Sequence, residues 1–153
     1  MSDGLSLQQK VQKARERRTS GVEVRVPIDG YEDFLTGVYQ TVDWRVKGEI
    51  ELRYQDEPEL DRIWQQQADF LLATSKTVEG TADGKTDDLG PLGAALAAKL
   101  GLDVEGDTDK QAVMQFFVDG AALIRHSNVV LEKLSKAERP AVEKTMGESE
   151  AAS

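Results

Sequence analysis

The chain has no cysteine and a single histidine, His126. The first absence excludes disulfides and thiolate metal sites. The second denies zinc its usual imidazole pairs and restricts any nucleophile–base chemistry to His126, carboxylates or lysines. Aromatic residues are only 6% of the chain and apolar residues 39%, against 31% charged, a balance that suggests a small core with flexible ends. No apolar run approaches the roughly 18–20 residues of a membrane span. The opening Met1-Ser2-Asp3-Gly4 leads into charged residues rather than an apolar stretch, which reads as no secretory signal and a cytoplasmic protein. Basic charge is also in deficit: the net charge is −9 and the pI about 4.7, which disfavours nucleic acid as a partner.

What is present is enough for one domain with a real core, since the chain has 153 residues. Its charge is unevenly spread. Residues 1–26 hold six basic side chains (Lys10, Lys13, Arg15, Arg17, Arg18, Arg25) against three acidic ones, so the net −9 divides into +3 there and −12 in the remainder. Such a basic arm can bind nucleic acid, an acidic surface (its own body included) or only water. The reading that follows is an arm over 1–20, one globular domain over 21–136 and a flexible tail over 137–153.

Hydrophobic spacing divides the domain further. Residues 5–18 carry a thin stripe, Leu5, Val11 and Ala14, and predict a short helix that docks loosely or is held by a partner. Val22, Val24, Val26 and Ile28 alternate with Glu23 and Arg25, predicting a half-buried strand that ends at Pro27 and the Asp29-Gly30 turn. Tyr31, Phe34, Leu35, Val38 and Tyr39 have helical spacing, weakened at Gly37. From Val42 to Tyr54 the period is two, which favours a hairpin around Lys47-Gly48; yet Val42, Val46, Ile50 and Tyr54 also lie four apart, which leaves a helix open. Leu60, Ile63, Trp64, Gln67, Phe70, Leu71 and Thr74 predict a helix over 57–76 behind Pro58. Val78 to Asp88 reads as a polar loop. A second helix is expected over 89–100, closed by Gly101. Thr108-Asp109-Lys110-Gln111 is a capping box opening a third, with Ala112, Val113, Phe116 and Phe117 inward. A fourth is expected from about Ala121 to Leu134, with Leu123, Ile124, Val130, Leu131 and Leu134 inward and His126 on its polar side. The expected fold is a mainly α (α+β) domain of about four helices with a short N-terminal strand and a hairpin over 42–54.

None of the chemical motifs tested closes. Gly80-Thr81-Ala82-Asp83-Gly84-Lys85-Thr86 has three residues between its glycines where a phosphate loop needs four, and Asp87-Asp88 would repel phosphate. The same stretch fails as an EF-hand, with Lys85 at the third position and Asp88 at the sixth. No pair of carboxylates stands out. The reading is of a protein that is not an enzyme and has neither a cofactor nor a metal. Trp44, Tyr54, Trp64, Phe70 and Phe117 are candidates for partner contact, with ordinary core as the competing reading.

Taken in order, several segments resemble one family. The Lys10–Arg18 segment is followed by Val22-Glu23-Val24-Arg25-Val26-Pro27-Ile28-Asp29-Gly30. Then come Ala68-Asp69-Phe70-Leu71-Leu72, Asp83-Gly84-Lys85, Ala98-Lys99-Leu100-Gly101-Leu102, Ala112-Val113-Met114-Gln115-Phe116-Phe117, and the Ala121–Val130 stretch holding His126. This order is similar to that of the tail assembly chaperones of long-tailed (siphovirus-type) actinobacteriophages. One departure is the middle region, usually helical there, which alternates here over 42–54. The resemblance implies a non-enzymatic protein of the host cytoplasm that coats the phage tape measure protein and hands it to tail-tube protein, with a homo-oligomer as a further option. Two other readings stand beside it. One is a virion subunit, such as a head–tail connector, tail terminator or minor virion protein, which would place the chain in the particle. The other is an enzyme or a nucleic-acid-binding regulator.

Overall fold

The computed structural model describes residues 6–19 and 22–151, with the side chains of 14–19, 44 and 138–151 outside that description. The alternating valines form β1, Glu23–Pro27, which pairs antiparallel with β2, Leu35–Gln40. Beyond β2 lie β3, Ser75–Ala82, and β4, Lys85–Asp88, giving a four-stranded antiparallel sheet in the order β1-β2-β3-β4. Among the described residues there are six helices: α1 Leu7–Thr19, α2 Trp44–Arg53, α3 Glu59–Thr74, α4 Ala94–Lys99, α5 Asp109–Phe116 and α6 Gly120–Ala151. About 52% of the chain is helical and 19% strand, so the class is α+β rather than mainly α.

One face of the sheet is apolar. Register sets Val26, Gly37 and Val78 in one inward row and Val24, Tyr39 and Ser75 in the next. A bulge beside Val38 and Tyr39 leaves Lys76 as the extra residue of β3. Gly37 has a specific reason to lack a side chain. A Cβ there would stand 2.5 Å from Cε2 of Tyr39, because the Tyr39 ring lies back over the glycine and fills the space between Val26 and Val78. The other face is polar: Arg25 pairs with Glu79 across β2 at 2.5 Å, and Lys76 pairs with Glu23.

Helix α6 covers β1 and β2, α3 packs on α6, and α2 and α5 flank α3. One buried cluster joins these layers, including Ile28, Leu35, Tyr39, Leu71, Val78, Leu96, Val113, Phe116, Leu123 and Val130. Both edges of the sheet are guarded. Pro27 removes an amide from β1, whose Arg25 carbonyl accepts from Lys133 of α6 at 3.4 Å. On β4, the exposed Lys85, Asp87 and Asp88 oppose pairing with another chain.

Several expectations are corrected. The 42–54 segment is a helix rather than a hairpin: Val46, Ile50 and Tyr54 turn to one side, and the Asp43 side chain caps the start by accepting from the Arg45 amide at 2.9 Å. The inner strands already have partners on both sides, so a hairpin there had no central edge to join. The 31–39 segment is a turn followed by β2 rather than a helix. Gly30, at φ 91°, turns the chain, the Leu35 amide returns to the Tyr31 carbonyl at 2.8 Å, and Leu35, Gly37 and Tyr39 then alternate inward. The supposed loop over 78–88 is the β3–β4 hairpin. Asp83 (φ 52°) and Gly84 (φ 76°) both sit in the left-handed region, the two-residue turn whose twist suits paired strands. The stretch weighed as a phosphate or calcium loop therefore spends its amides on a ladder. Helix α6 runs through Pro140 to Ala151.

Substituting Gly37→Ala should push the Tyr39 ring out of its place and lower stability by about 1–3 kcal/mol. Thermal and urea unfolding followed by circular dichroism measure this, and an unchanged midpoint would show that the ring does not depend on the gap.

Candidate functional site

The four-residue spacing of Val130 and Leu134 carries back to His126, and His126 and Ser127 stand three and four residues after Leu123. That face of α6 is the buried one, so His126 is 2% exposed rather than solvated, contrary to the expectation from its polar neighbours Arg125 and Asn128. Its Nε2 lies 2.6 Å from the Tyr39 hydroxyl, and its Nδ1 accepts from the Asp29 amide at 3.4 Å. Because that amide is a donor, the proton of the neutral ring sits on Nε2, which donates to the Tyr39 oxygen. The rings of Tyr39 and Phe117 flank the imidazole at 5.5 and 5.3 Å. Burial pushes the His126 pKa down to about 4, against smaller opposing contributions from the charges of Asp29 and Glu32. Burial also raises the Tyr39 phenol above its ordinary range. Both groups are therefore neutral at physiological pH, and the pair is a structural tie between β2, α6 and the turn at Asp29.

A second polar cluster joins three helices. Asp69 of α3 accepts from Arg53 at 2.8 Å and from the Tyr54 hydroxyl, while Lys110 of α5 donates to the same hydroxyl and to Gln65 at 2.9 Å. The Lys110 ammonium also lies 4.3 Å from the centre of the Tyr54 ring. With Tyr54 and Asp69 both buried, the cluster holds α2 and α5 onto α3. Among the described residues, no group of three or more His, Cys, Asp or Glu side chains is placed to hold a metal ion. No helix of the described residues is long and apolar enough to cross a membrane.

Four of the five aromatic candidates have described side chains, and those four are drawn into the core rather than onto the surface. Tyr54, Phe70 and Phe117 are buried, and Trp64 is partly buried against the core beside Gly120. Trp44 opens α2, with its side chain outside the described residues. Of the basic arm, Lys10 is half-buried and Lys13 exposed on α1, while the side chains of Arg15, Arg17 and Arg18 lie outside the described residues.

Besides Leu7 and Val11 of α1 and the single residues Leu52 and Leu60, exposed apolar side chains lie where the turn after β1 meets the start of α6. Phe34 is 49% exposed and Val118 72%. Half-buried Tyr31 adjoins Phe34: its ring is 5.9 Å from that of Phe34, and its hydroxyl donates to the carbonyl of Phe116, two residues before Val118, at 2.8 Å. Val118 closes over Gly30, where an added Cβ would come within 3.1 Å of Val118 Cγ2. The patch is held firmly from below. The Phe34 carbonyl accepts from the Thr81 amide at 2.9 Å, and the Asp29 amide is bound to His126. Carboxylates rim it. Arg125 donates twice to Asp29, at 3.2 Å each, and its pKa is raised first by that hydrogen bond and then by the charges of Asp29, Asp119 and Glu32. Three carboxylates thus act on one guanidinium, and a fourth, Asp33, is exposed next to Phe34. The sequence signal for this patch was weak: Phe34 and Val118 stand singly among Asp and Gly residues, and only the fold brings them together.

No protein-family model, no curated protein and no solved structure matches the chain.

The His126 tie makes stability depend on acidity. The unfolded ring binds its proton near pH 6.5 and the folded ring near pH 4, so the unfolded chain protonates first as pH falls. The contribution is complete above about pH 6.5 and is lost on the way down to about 4, on the order of 3 kcal/mol. Replacing both partners, Tyr39→Phe with His126→Leu, should flatten unfolding free energy between pH 6.5 and 4.5 relative to the parent. Equal slopes in the two proteins would show that His126 is not the group responsible.

Proposed function

We propose that this chain is a non-enzymatic tail assembly chaperone that binds a phage tape measure protein in the host cytoplasm and promotes its assembly with tail-tube protein. The observation that carries the reading is the acid-rimmed apolar patch of Tyr31, Phe34 and Val118. Such a surface suits one face of an amphipathic basic helix, burying its apolar side chains while Asp29, Glu32, Asp33 and Asp119 meet its charges. The acidic body, at −12 outside residues 1–26, discourages nonspecific self-association. Its small apolar area also fits the role. A patch of three side chains sits far below the 1,200 Å² or so of a stable interface, so the client would be held weakly and released to the growing tube. The helix α2 supports the resemblance as well, since the middle region of the family is usually helical.

A virion subunit is the second reading, and the length of α6 favours it. Its 32 residues span about 48 Å, longer than the covering of β1 and β2 requires, which leaves length for a contact with another subunit.

Co-expression with the tape measure protein encoded nearest to this gene separates the two. The chaperone reading expects the client to be soluble only in the presence of this chain, Val118→Asp and Phe34→Asp to lower client recovery several-fold, and purified particles to lack the chain. Absence of binding, together with stoichiometric recovery from particles, contradicts it and establishes the subunit.

A further inference from the structure

Two of the exposed apolar stretches among the described residues lie among charges of opposite sign. One is the acid-rimmed patch. The other is α1, where Leu7 is 76% exposed and Val11 52%. These two residues are four apart and therefore share one face of the helix. Between Leu7 and Thr19 the sequence places Lys10, Lys13, Arg15, Arg17 and Arg18 against one acid, Glu16. The helix packs lightly on α6 and leaves both apolar side chains in water.

We infer that α1 of one copy docks on the Tyr31–Phe34–Val118 patch of a second copy. Charge complementarity selects this occupant: a short helix with a two-residue apolar face and five cations meets three apolar side chains beside Asp29, Glu32, Asp33 and Asp119, with Arg125 as the one cation among them. Geometry directs it to another molecule. Residues 20–22 lead from α1 to the start of β1 at Glu23, whereas the patch begins beyond the other end of β1, at Asp29. Glu23 and Asp29 are roughly 20 Å apart at about 3.3 Å per residue of extended chain. The contact is heterologous, patch to helix. Two copies can therefore exchange their arms in a closed pair, or further copies can add in a chain. When a client helix of the same chemistry is present, it competes with α1 for the patch. The inference concerns the same patch as the proposed function but requires no client, so it can fail or hold separately.

Sedimentation equilibrium of the full chain, over a range of concentrations in low and in high salt, is the test. Self-association is expected in low salt and is expected to weaken in high salt, because salt screens attraction between opposite charges. Val118→Asp, at an exposed position, should weaken it at least about tenfold, as should Lys10→Glu combined with Lys13→Glu. Phe34→Ser serves as a second variant of the patch. Reversing the rim as well, with Glu32→Lys and Asp33→Lys added to the reversed arm, should restore association, which a merely structural defect would not do. A monomer at every concentration in low salt overturns the inference. Association lost in Val118→Asp but untouched by the arm reversal means that patch meets patch, which overturns the assignment of α1. Association lost on arm reversal but untouched in Val118→Asp means that α1 docks elsewhere, and overturns it equally.

Discussion

The Tyr39 hydroxyl reaches His126 because Gly37 leaves the ring room to lie back over the strand. Three constraints meet in that contact. The glycine must lack a Cβ, the imidazole must be neutral, and the ring must present Nδ1 to the Asp29 amide and Nε2 to the phenol. Each is a condition on a different segment: β2, α6 and the turn that follows β1. A buried polar pair of this kind adds modest net stability when complete, and costs more when one partner is left alone. Its larger effect is to fix register. A slip of β2 by one residue, or a rotation of α6 by one position, would leave the hydroxyl and the imidazole without partners.

The surface follows from the same tie. Because His126 holds the Asp29 amide, the turn over 29–34 is set against the start of α6, and Val118 closes on Gly30. That apposition gathers Tyr31, Phe34 and Val118 from separate parts of the chain and places the carboxylates of Asp29, Glu32 and Asp119 around Arg125. The apolar patch is thus an outward consequence of an inward constraint. It differs from the aromatic candidates that composition suggested, of which Tyr54, Phe70 and Phe117 are occupied in holding helices together.

The parts of the fold legible in the sequence were those fixed by short-range chemistry. The capping box at Thr108 and Gln111, the glycine after α4, and the 3.6-residue period of α3 each depend on neighbours within a few positions, and each lies where the sequence placed it. The segments misread were those with two consistent periods. Val42 to Tyr54 satisfies period two and period four together; tertiary context decided, since β2 already lay between β1 and β3. Tyr31 to Tyr39 mixes a turn with a strand, and the resulting spacing imitates a helix. The Asp83-Gly84 turn was a readable hairpin signal, masked by strands too polar to look like strands. His126 was misplaced because its neighbours in sequence are polar, although its spacing from Leu123 and Val130 put it on the buried face. The patch was illegible for a simpler reason: nothing in a linear sequence brings Phe34 to Val118.

The most direct measurement is a proton NMR titration of the ring of His126, which as the only histidine gives a single assignable set of resonances. The account predicts a neutral Nε2–H ring through pH 7, with a midpoint near 4 or loss of the fold before a midpoint is reached. A reversible titration near 6.5 in the folded protein would mean that the imidazole is solvated, and the tie between Gly37, Tyr39 and His126 would not exist.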